Sequence, residues 1–403
     1  MELPQGHLSY CTNIHPGEDW PGHFAALKQN FPSIKRQVSP ETLMGIGLRL
    51  SNAASLELAE RDALEEFKHW LRANDAYVFT MNGFPYGEFH NTVVKDDVHT
   101  PDWTTEDRLN YTIRMFNILA ELLPAGMDGG ISTSPISYKY WHKTDADLQR
   151  AKEQGTINIL KVAEHLATIQ KDSGIYLHLD IEPEPDGMLE NGDEYIEWYS
   201  QTLLPLSKTY FAEHGGLTTA EAELLIRNHI TLCYDVCHFA IGYEQHRQVV
   251  STLREQGLKV GKIQISAALR SALPKSGAER NTIVDEFARY NEPVYLHQVV
   301  ARTSEGNLLR YPDLPEAMAD KANTAITEWR AHFHVPIFKD RYDLLQSTQT
   351  DIVEVLKLQK EQAFTNHLEV ETYTWGVLPD ADKLPMADSI SREVNWVKDQ
   401  LSK

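Results

Sequence analysis

Apolar positions recur at three- and four-residue spacings from Ser55 to Asn74, where Leu56, Ala59, Ala63, Leu64, Phe67, Trp70 and Leu71 are separated by acids and bases. That period describes one face of an amphipathic helix. It predicts further helices over Thr105 to Leu123, Asp145 to Lys171, Asp193 to Glu213, Tyr243 to Gln256, Leu344 to Gln362 and Ile390 to Leu401. Between these stretches lie short apolar runs rich in β-branched and aromatic residues: Gly6 to Thr12, Gly45 to Leu50, Ala76 to Met81, Gly129 to Thr133, Ile175 to Ile181, His229 to Tyr234, Val260 to Ile265 and His367 to Tyr373. Eight strands that read as buried on both faces, alternating with helices, predict a parallel sheet covered by helices, and the count of eight predicts an α/β fold of the (β/α)8 TIM barrel type. A doubly wound open sheet is the alternative. It lacks its phosphate-binding Gly-x-Gly-x-x-Gly after the first strand, and Gly45-Ile46-Gly47 lies inside a strand.

A barrel needs about 250 residues, so a chain of 403 carries insertions. The longest interval between strands, Val260 to His367, holds two extra strand-like runs, Pro293 to Ala301 and Ala331 to Phe338. The expectation is therefore one barrel domain over 1–403, with 267–366 an elaborated insertion between the seventh and eighth strands. Composition narrows the partners. With 38 Lys+Arg against 58 Asp+Glu, the net charge of −20 and the absence of a basic patch argue against nucleic acid and anionic membranes. Three cysteines (Cys11, Cys233, Cys237) make no disulfide framework, no run approaches a membrane span, and Met1 is not followed by a basic and then apolar leader. A cytoplasmic protein without direct membrane insertion, acting on a small molecule, is expected.

In a barrel, chemistry collects where the strands end. The fifth strand ends His178-Leu179-Asp180-Ile181-Glu182 and runs into Pro183-Glu184-Pro185; the sixth ends in Asp235-Val236-Cys237-His238; the seventh contains Lys262-Ile263-Gln264-Ile265-Ser266; the eighth contains Glu369-Val370-Glu371. Period-two alternation puts His178, Asp180 and Glu182 on one side of their strand, and Glu369 and Glu371 on one side of theirs. Charges directed into a barrel are costly unless paired or bound to metal. Several converging on one mouth, with an imidazole and an amide oxygen, suit a divalent cation of unspecified identity: Mn, Zn, Mg or Fe. Each element also has a structural reading: Glu-Pro-Glu-Pro as a solvated loop, Asp235 as a helix N-cap, and Glu369 and Glu371 as ion-pair partners of Lys383 or Arg392. His15, Asn13, Asn82 and Arg49 end the first three strands and are candidates for hydrogen bonds to a polyol or phosphate. Phe84, Tyr86 and Trp141 are candidate pocket walls.

The order of a Glu on the fifth strand, Asp-x-x-His on the sixth, a polar residue on the seventh and Glu on the eighth resembles the xylose isomerase-like superfamily of TIM barrels. The opening Gly6-His7-Leu8-Ser9-Tyr10-Cys11-Thr12-Asn13-Ile14-His15-Pro16-Gly17-Glu18, the run Asn82-Gly83-Phe84-Pro85-Tyr86-Gly87 and the ending Leu368-Glu369-Val370-Glu371-Thr372-Tyr373-Thr374-Trp375 further resemble the EboE family of metabolite traffic proteins. The resemblance implies Glu182, Asp235, Gln264 and Glu371 as metal ligands, with Glu182, Glu371 and His238 as catalytic residues. It also implies His238 as a substrate contact or a ligand to an additional metal; from their places at strand ends His15, Asn82, Arg49 and Glu369 are expected as substrate contacts. Epimerases of the superfamily place His where this chain has Gln264, which makes His332 and His334, a His-x-His of the insertion, candidate ligands too. The implied activity is that of a metal-dependent sugar isomerase or epimerase acting on a small polyhydroxy or secondary-metabolite precursor. The family's operon, linked to secondary-metabolite biosynthesis or export, implies other proteins of that operon as partners. A multi-metal phosphodiesterase of endonuclease IV type and a non-catalytic metabolite carrier are the competing expectations.

Overall fold

A computed structural model describes residues 1–87, 94–376 and 385–403. Eight parallel strands form the barrel: β1 (Gly6–Tyr10), β2 (Met44–Arg49), β3 (Ala76–Asn82), β4 (Gly129–Thr133), β5 (Leu177–Ile181), β6 (Ile230–Asp235), β7 (Val260–Ile265) and, after the insertion, β14 (His367–Val370). Their order is β1-β14-β7-β6-β5-β4-β3-β2, and a parallel bridge from Cys11 to Gly47 closes β2 onto β1. Every residue of β2 to β7 and β14 is buried, as expected of strands with helices outside and a packed interior within.

The insertion has a sheet of its own. Strands β8 (Leu269–Ala272), β9 (Val299–Thr303), β10 (Leu308–Tyr311), β11 (Ile326–Ala331), β12 (Arg341–Tyr342) and β13 (Leu345–Ser347) pair antiparallel in the order β10-β9-β11-β8-β13-β12. The run expected as a strand over Ala331 to Phe338 is shifted: β11 ends at Ala331, and His332-Phe333-His334 follow it as extended chain outside the ladder.

Three helices expected as continuous are interrupted. The pattern over 55–74 divides at Ala59-Glu60 into Asn52–Leu58 and Arg61–Ala73. The pattern over 193–213 divides into Gly192–Trp198 and Leu204–His214, joined by a π turn at Tyr199–Leu203. Pro205, which lacks the N–H an inner turn needs, is thereby placed in the first turn of the second helix. Leu344 to Gln362 begins as strand β13 and becomes helical only at Gln349–Glu361.

Helix Trp20–Val38 is absent from the periodicity reading because Pro32 and Gly22 punctuate it. Asp19 caps it by accepting from the Gly22 N–H at 2.8 Å, and Trp20, Phe24, Leu27, Phe31 and Ile34 bury one face. That packing outweighs an interior proline. Among the described residues no helix is long and apolar enough to cross a membrane.

Candidate metal centre

Strand alternation sends His178, Asp180 and Glu182 from β5, Cys233 and Asp235 from β6, Lys262, Gln264 and Ser266 from β7, and His367, Glu369 and Glu371 from β14 toward the barrel axis. Register stacks them into layers: Gln264 pairs with Glu369 on one side and with Asp235 on the other. At mid-height Lys262 Nζ donates to Glu369 Oε2 at 2.6 Å, and both side chains are fully buried. Burial disfavours the charged amine, but the Glu369 carboxylate overrides it and raises Lys262 above the ordinary lysine range. Glu369 is thus an ion-pair partner below the mouth, with Lys262 rather than Arg392; Lys383 lies outside the described residues.

One layer higher, three carboxylates converge. The Gln264 Nε2 donates to Glu182 Oε1 at 2.9 Å, to Asp235 Oδ2 at 2.9 Å and to Glu371 Oε2 at 2.8 Å. Glu371 Oε1 further accepts from Asn13 Nδ2 at 2.8 Å and Asn82 Nδ2 at 2.9 Å. Asp235 Oδ1 accepts from Ser266 Oγ at 2.6 Å and from the Cys237 and His238 backbone N–H groups, so it caps the helix Val236–Ile241 while its other oxygen faces the cluster. Burial, reinforced by the neighbouring carboxylates, pushes Glu182, Glu184 and Glu371 well above the ordinary glutamate range. Burial acts the same way on Asp235, but His238, His334 and the hydrogen bonds from Ser266 and Gln264 hold it low. A set of like charges that raises its own proton affinity also attracts a cation.

Beside the carboxylates stand three buried imidazoles whose tautomers are set by what they face. His238 Nδ1 meets the Pro183 carbonyl at 2.8 Å, His332 Nδ1 meets Gln298 Oε1 at 2.8 Å, and His334 Nδ1 meets the Glu371 carbonyl at 3.1 Å. These oxygens only accept, and the Gln298 amide is oriented by its own donation to the Pro185 carbonyl at 3.2 Å. Each Nδ1 therefore carries a proton, and in His332 and His334, which burial keeps neutral, Nε2 offers a lone pair. Yet His238 Nε2 and His332 Nε2 lie 3.3 Å apart, and His334 Nε2 has no hydrogen-bond partner. Burial keeps His334 (to about 4) and His332 neutral.

Ligand atoms of Glu182, Asp235 and Glu371, of Asp235, His238 and His334, and of Glu184, His238 and His332 each lie within 4.8 Å of one another. The unpartnered Glu182 Oε2 and Glu184 Oε2 add open acceptors. This donor set fits a divalent cation. The amide of Gln264 presents its nitrogen to the three carboxylates, and its oxygen accepts from Cys233 Sγ at 3.1 Å.

The cavity at this mouth has a volume of about 50 Å³ and is lined by Asn13, Asn82, Phe84, Pro85, Val98, Glu182, Glu184, His238, His332, His334, Glu371 and Tyr373. Asn82 and Phe84 are where the strand-end reading puts them. Other candidates face elsewhere. Arg49 donates to Glu18 Oε2 at 2.9 Å and to the Gly87 carbonyl. His15 meets the Tyr10 hydroxyl at 3.1 Å, Tyr86 packs on Tyr111, and Trp141 Nε1 donates to Asp96 at 2.8 Å. Gln298, Ser266 and Tyr373 were not singled out by the sequence. Ser266 had a signal, two residues beyond Gln264 on the same face; Gln298 had none, being brought in by the insertion.

No family model matches the chain, and no curated protein matches it. Solved structures do. A xylose isomerase-like TIM barrel protein from Mycobacterium smegmatis in complex with magnesium is 11% identical, with 98% of this chain and 96% of that chain aligned at a TM-score of 0.50. The IolI protein with a zinc atom bound is 11% identical over 98% of both chains, TM-score 0.49. D-allulose 3-epimerase from a Methylomonas species in complex with D-allulose is 9% identical over 99% of both chains, TM-score 0.47. At such identities the likeness is one of architecture alone: the closed eight-stranded barrel is a TIM barrel, the architecture it shares with the magnesium-bound xylose isomerase-like protein.

Proposed function

We propose that the chain is a metal-dependent isomerase or epimerase-like enzyme for a small polyhydroxy compound or secondary-metabolite precursor, with Glu182, Asp235, Gln264 and Glu371 holding the cation. The observation that carries the reading is the convergence of three buried carboxylates on the single Gln264 amide nitrogen. The magnesium of the Mycobacterium smegmatis relative supports a divalent ion. The EboE-like motifs support a metabolite of an export or biosynthesis operon and partners from it.

When bound, the cation supplies Lewis-acid polarisation of adjacent substrate oxygens. The chain does the rest. Glu182 and Glu371, with proton affinities raised by burial and by the carboxylates around them, Asp235 and Glu184 for Glu182 and Glu182 and Asp235 for Glu371, are suited to take a proton from carbon next to a carbonyl and return it. Asn13 and Asn82 fix the Glu371 carboxylate, and His238 reaches toward Glu182, Nδ1 to Oε1 at 3.7 Å. A cavity of about 50 Å³ takes an ion and a water or two. Ligand pockets run to about 300–1,000 Å³, so Phe84, Pro85, Val98 and Tyr373 must move to admit substrate.

The three facing Nε2 atoms favour a second reading, a multi-metal centre that hydrolyses a phosphodiester. Elemental analysis of untagged protein and of the Glu182→Gln/Glu371→Gln variant separates the two. The variant loses one equivalent for the isomerase and two or three for the hydrolase, and an unchanged metal content contradicts both. Glu371→Gln alone is expected to abolish turnover while leaving the circular dichroism spectrum intact.

A further inference from the structure

We infer that the opposite, N-terminal end of the barrel carries a second and independent divalent-cation site, made by Asp128, His178 and His367. Ligand atoms of these three lie within 4.8 Å of one another. They come from separate parts of the barrel: Asp128 just before β4, His178 in β5 and His367 at the start of β14, with the two imidazole centroids 5.0 Å apart.

Hydrogen bonding prepares one ligand and leaves another bare. His178 Nδ1 is 2.5 Å from Asp180 Oδ1, which also accepts from Thr231 Oγ1. Carboxylate support of this kind fixes the tautomer of metal-bound histidines and aims Nε2 at the ion; here Nε2 lies 3.9 Å from Asp128 Oδ2. His367 is fully buried, and neither of its ring nitrogens has a hydrogen-bond partner. Its Nε2 is 3.6 Å from Asp128 Oδ1, beyond hydrogen-bond reach but close to the roughly 3.0–3.5 Å between two ligands of one ion with bonds near 2.0–2.1 Å.

The surroundings leave room for this arrangement. A Cβ on Gly130 would stand 2.2 Å from His178 Cε1, so only glycine there lets the ring lie where it does. A cavity of about 310 Å³ reaches Asp128 and His178, with fully buried His367 behind them, and the Asp128 side chain is 26% exposed, which leaves water for the remaining coordination positions. Lys259 lines the same cavity and opposes a cation, but its Nζ is drawn to Asn228 Oδ1 at 2.9 Å. Asp128 and Asp180 outweigh it. Two imidazoles and a carboxylate suit an ion of the zinc, cobalt or nickel class. At the end of the barrel that serves stability rather than chemistry, such an ion ties β5 to β14 across the interior.

The test uses the full chain, with Zn²⁺ and Co²⁺ as probes. Asp128→Ala is expected to bind one equivalent of Zn²⁺ fewer than wild type, and Asp128→Ala/Glu182→Gln/Glu371→Gln to lose the upward shift in thermal midpoint that Zn²⁺ gives Glu182→Gln/Glu371→Gln. Should Asp128→Ala fold poorly, Asp128→Asn keeps the side-chain volume. Placed in the Glu182→Gln/Glu371→Gln background, it is expected to remove the visible absorption of one equivalent of bound Co²⁺. Unchanged Zn²⁺ stoichiometry in folded Asp128→Ala, or a Co²⁺ spectrum that Asp128→Asn leaves unchanged, overturns this site and leaves the reading of the mouth standing.

Discussion

Lys262 shows how a single side chain conditions the whole interior. Its amine lies in a fully buried contact with Glu369, 2.6 Å away, one layer beneath the three carboxylates of the mouth. Removing one member of such a pair leaves an uncompensated charge, which costs about 3–5 kcal/mol. Lys262→Met is therefore expected to lower unfolding free energy by about that amount in a denaturant titration, and Lys262→Met/Glu369→Leu to recover much of it. A near-silent Lys262→Met would mean the amine is not the partner that Glu369 depends on. The pair also explains why Glu369, two residues before Glu371 on the same face of its strand, takes no part in the mouth.

At the scale of elements, the barrel closes where β1 meets β2, and that seam has no room for a side chain. A Cβ at Gly47 would lie 1.6 Å from Glu369 Oε1 and 3.0 Å from the Tyr10 carbonyl. Gly47→Ala is expected to cost about 1–3 kcal/mol through displacement of the Glu369 carboxylate, read as a lowered denaturation midpoint with an unchanged m-value. Much of the strand architecture was legible beforehand: the seven strands before the insertion and the strand after it read as short apolar runs, because a parallel barrel buries both faces of each. Helix Trp20–Val38 was not legible at all, with Gly22 and Pro32 inside it, and the π turn at Tyr199–Leu203 has no periodicity signature. The same division runs through the site. Glu182, Asp235 and Glu371 stand at strand ends with alternating neighbours, a local pattern. The arrangement of the imidazoles depends on three acceptors, the Pro183 and Glu371 carbonyls and Gln298 Oε1, that only the tertiary fold brings to them.

For the molecule as a whole, the acid excess has a pH signature. Burial raises Glu393 to about 7 and Glu244 to about 8, above the carboxylate values of the unfolded chain, so the folded state holds these protons more tightly. Stability is then greatest near pH 4–5 and falls as pH rises toward 8, by on the order of 3 kcal/mol for Glu393 alone. Glu393→Gln is expected to flatten that slope in thermal melts taken from pH 5 to 8. Glu182 and Glu371 act in the same direction, and there a bound cation replaces the proton, so chelation is expected to destabilise the protein more at pH 8 than at pH 5. The most direct measurement is an anomalous difference map from crystals soaked in Mn²⁺. A peak between Glu182, Asp235 and Glu371, with the Gln264 amide turned to present Oε1, is the result expected. A map without a peak there, with Gln264 Nε2 still donating to all three carboxylates, would contradict a metal-dependent centre at this mouth.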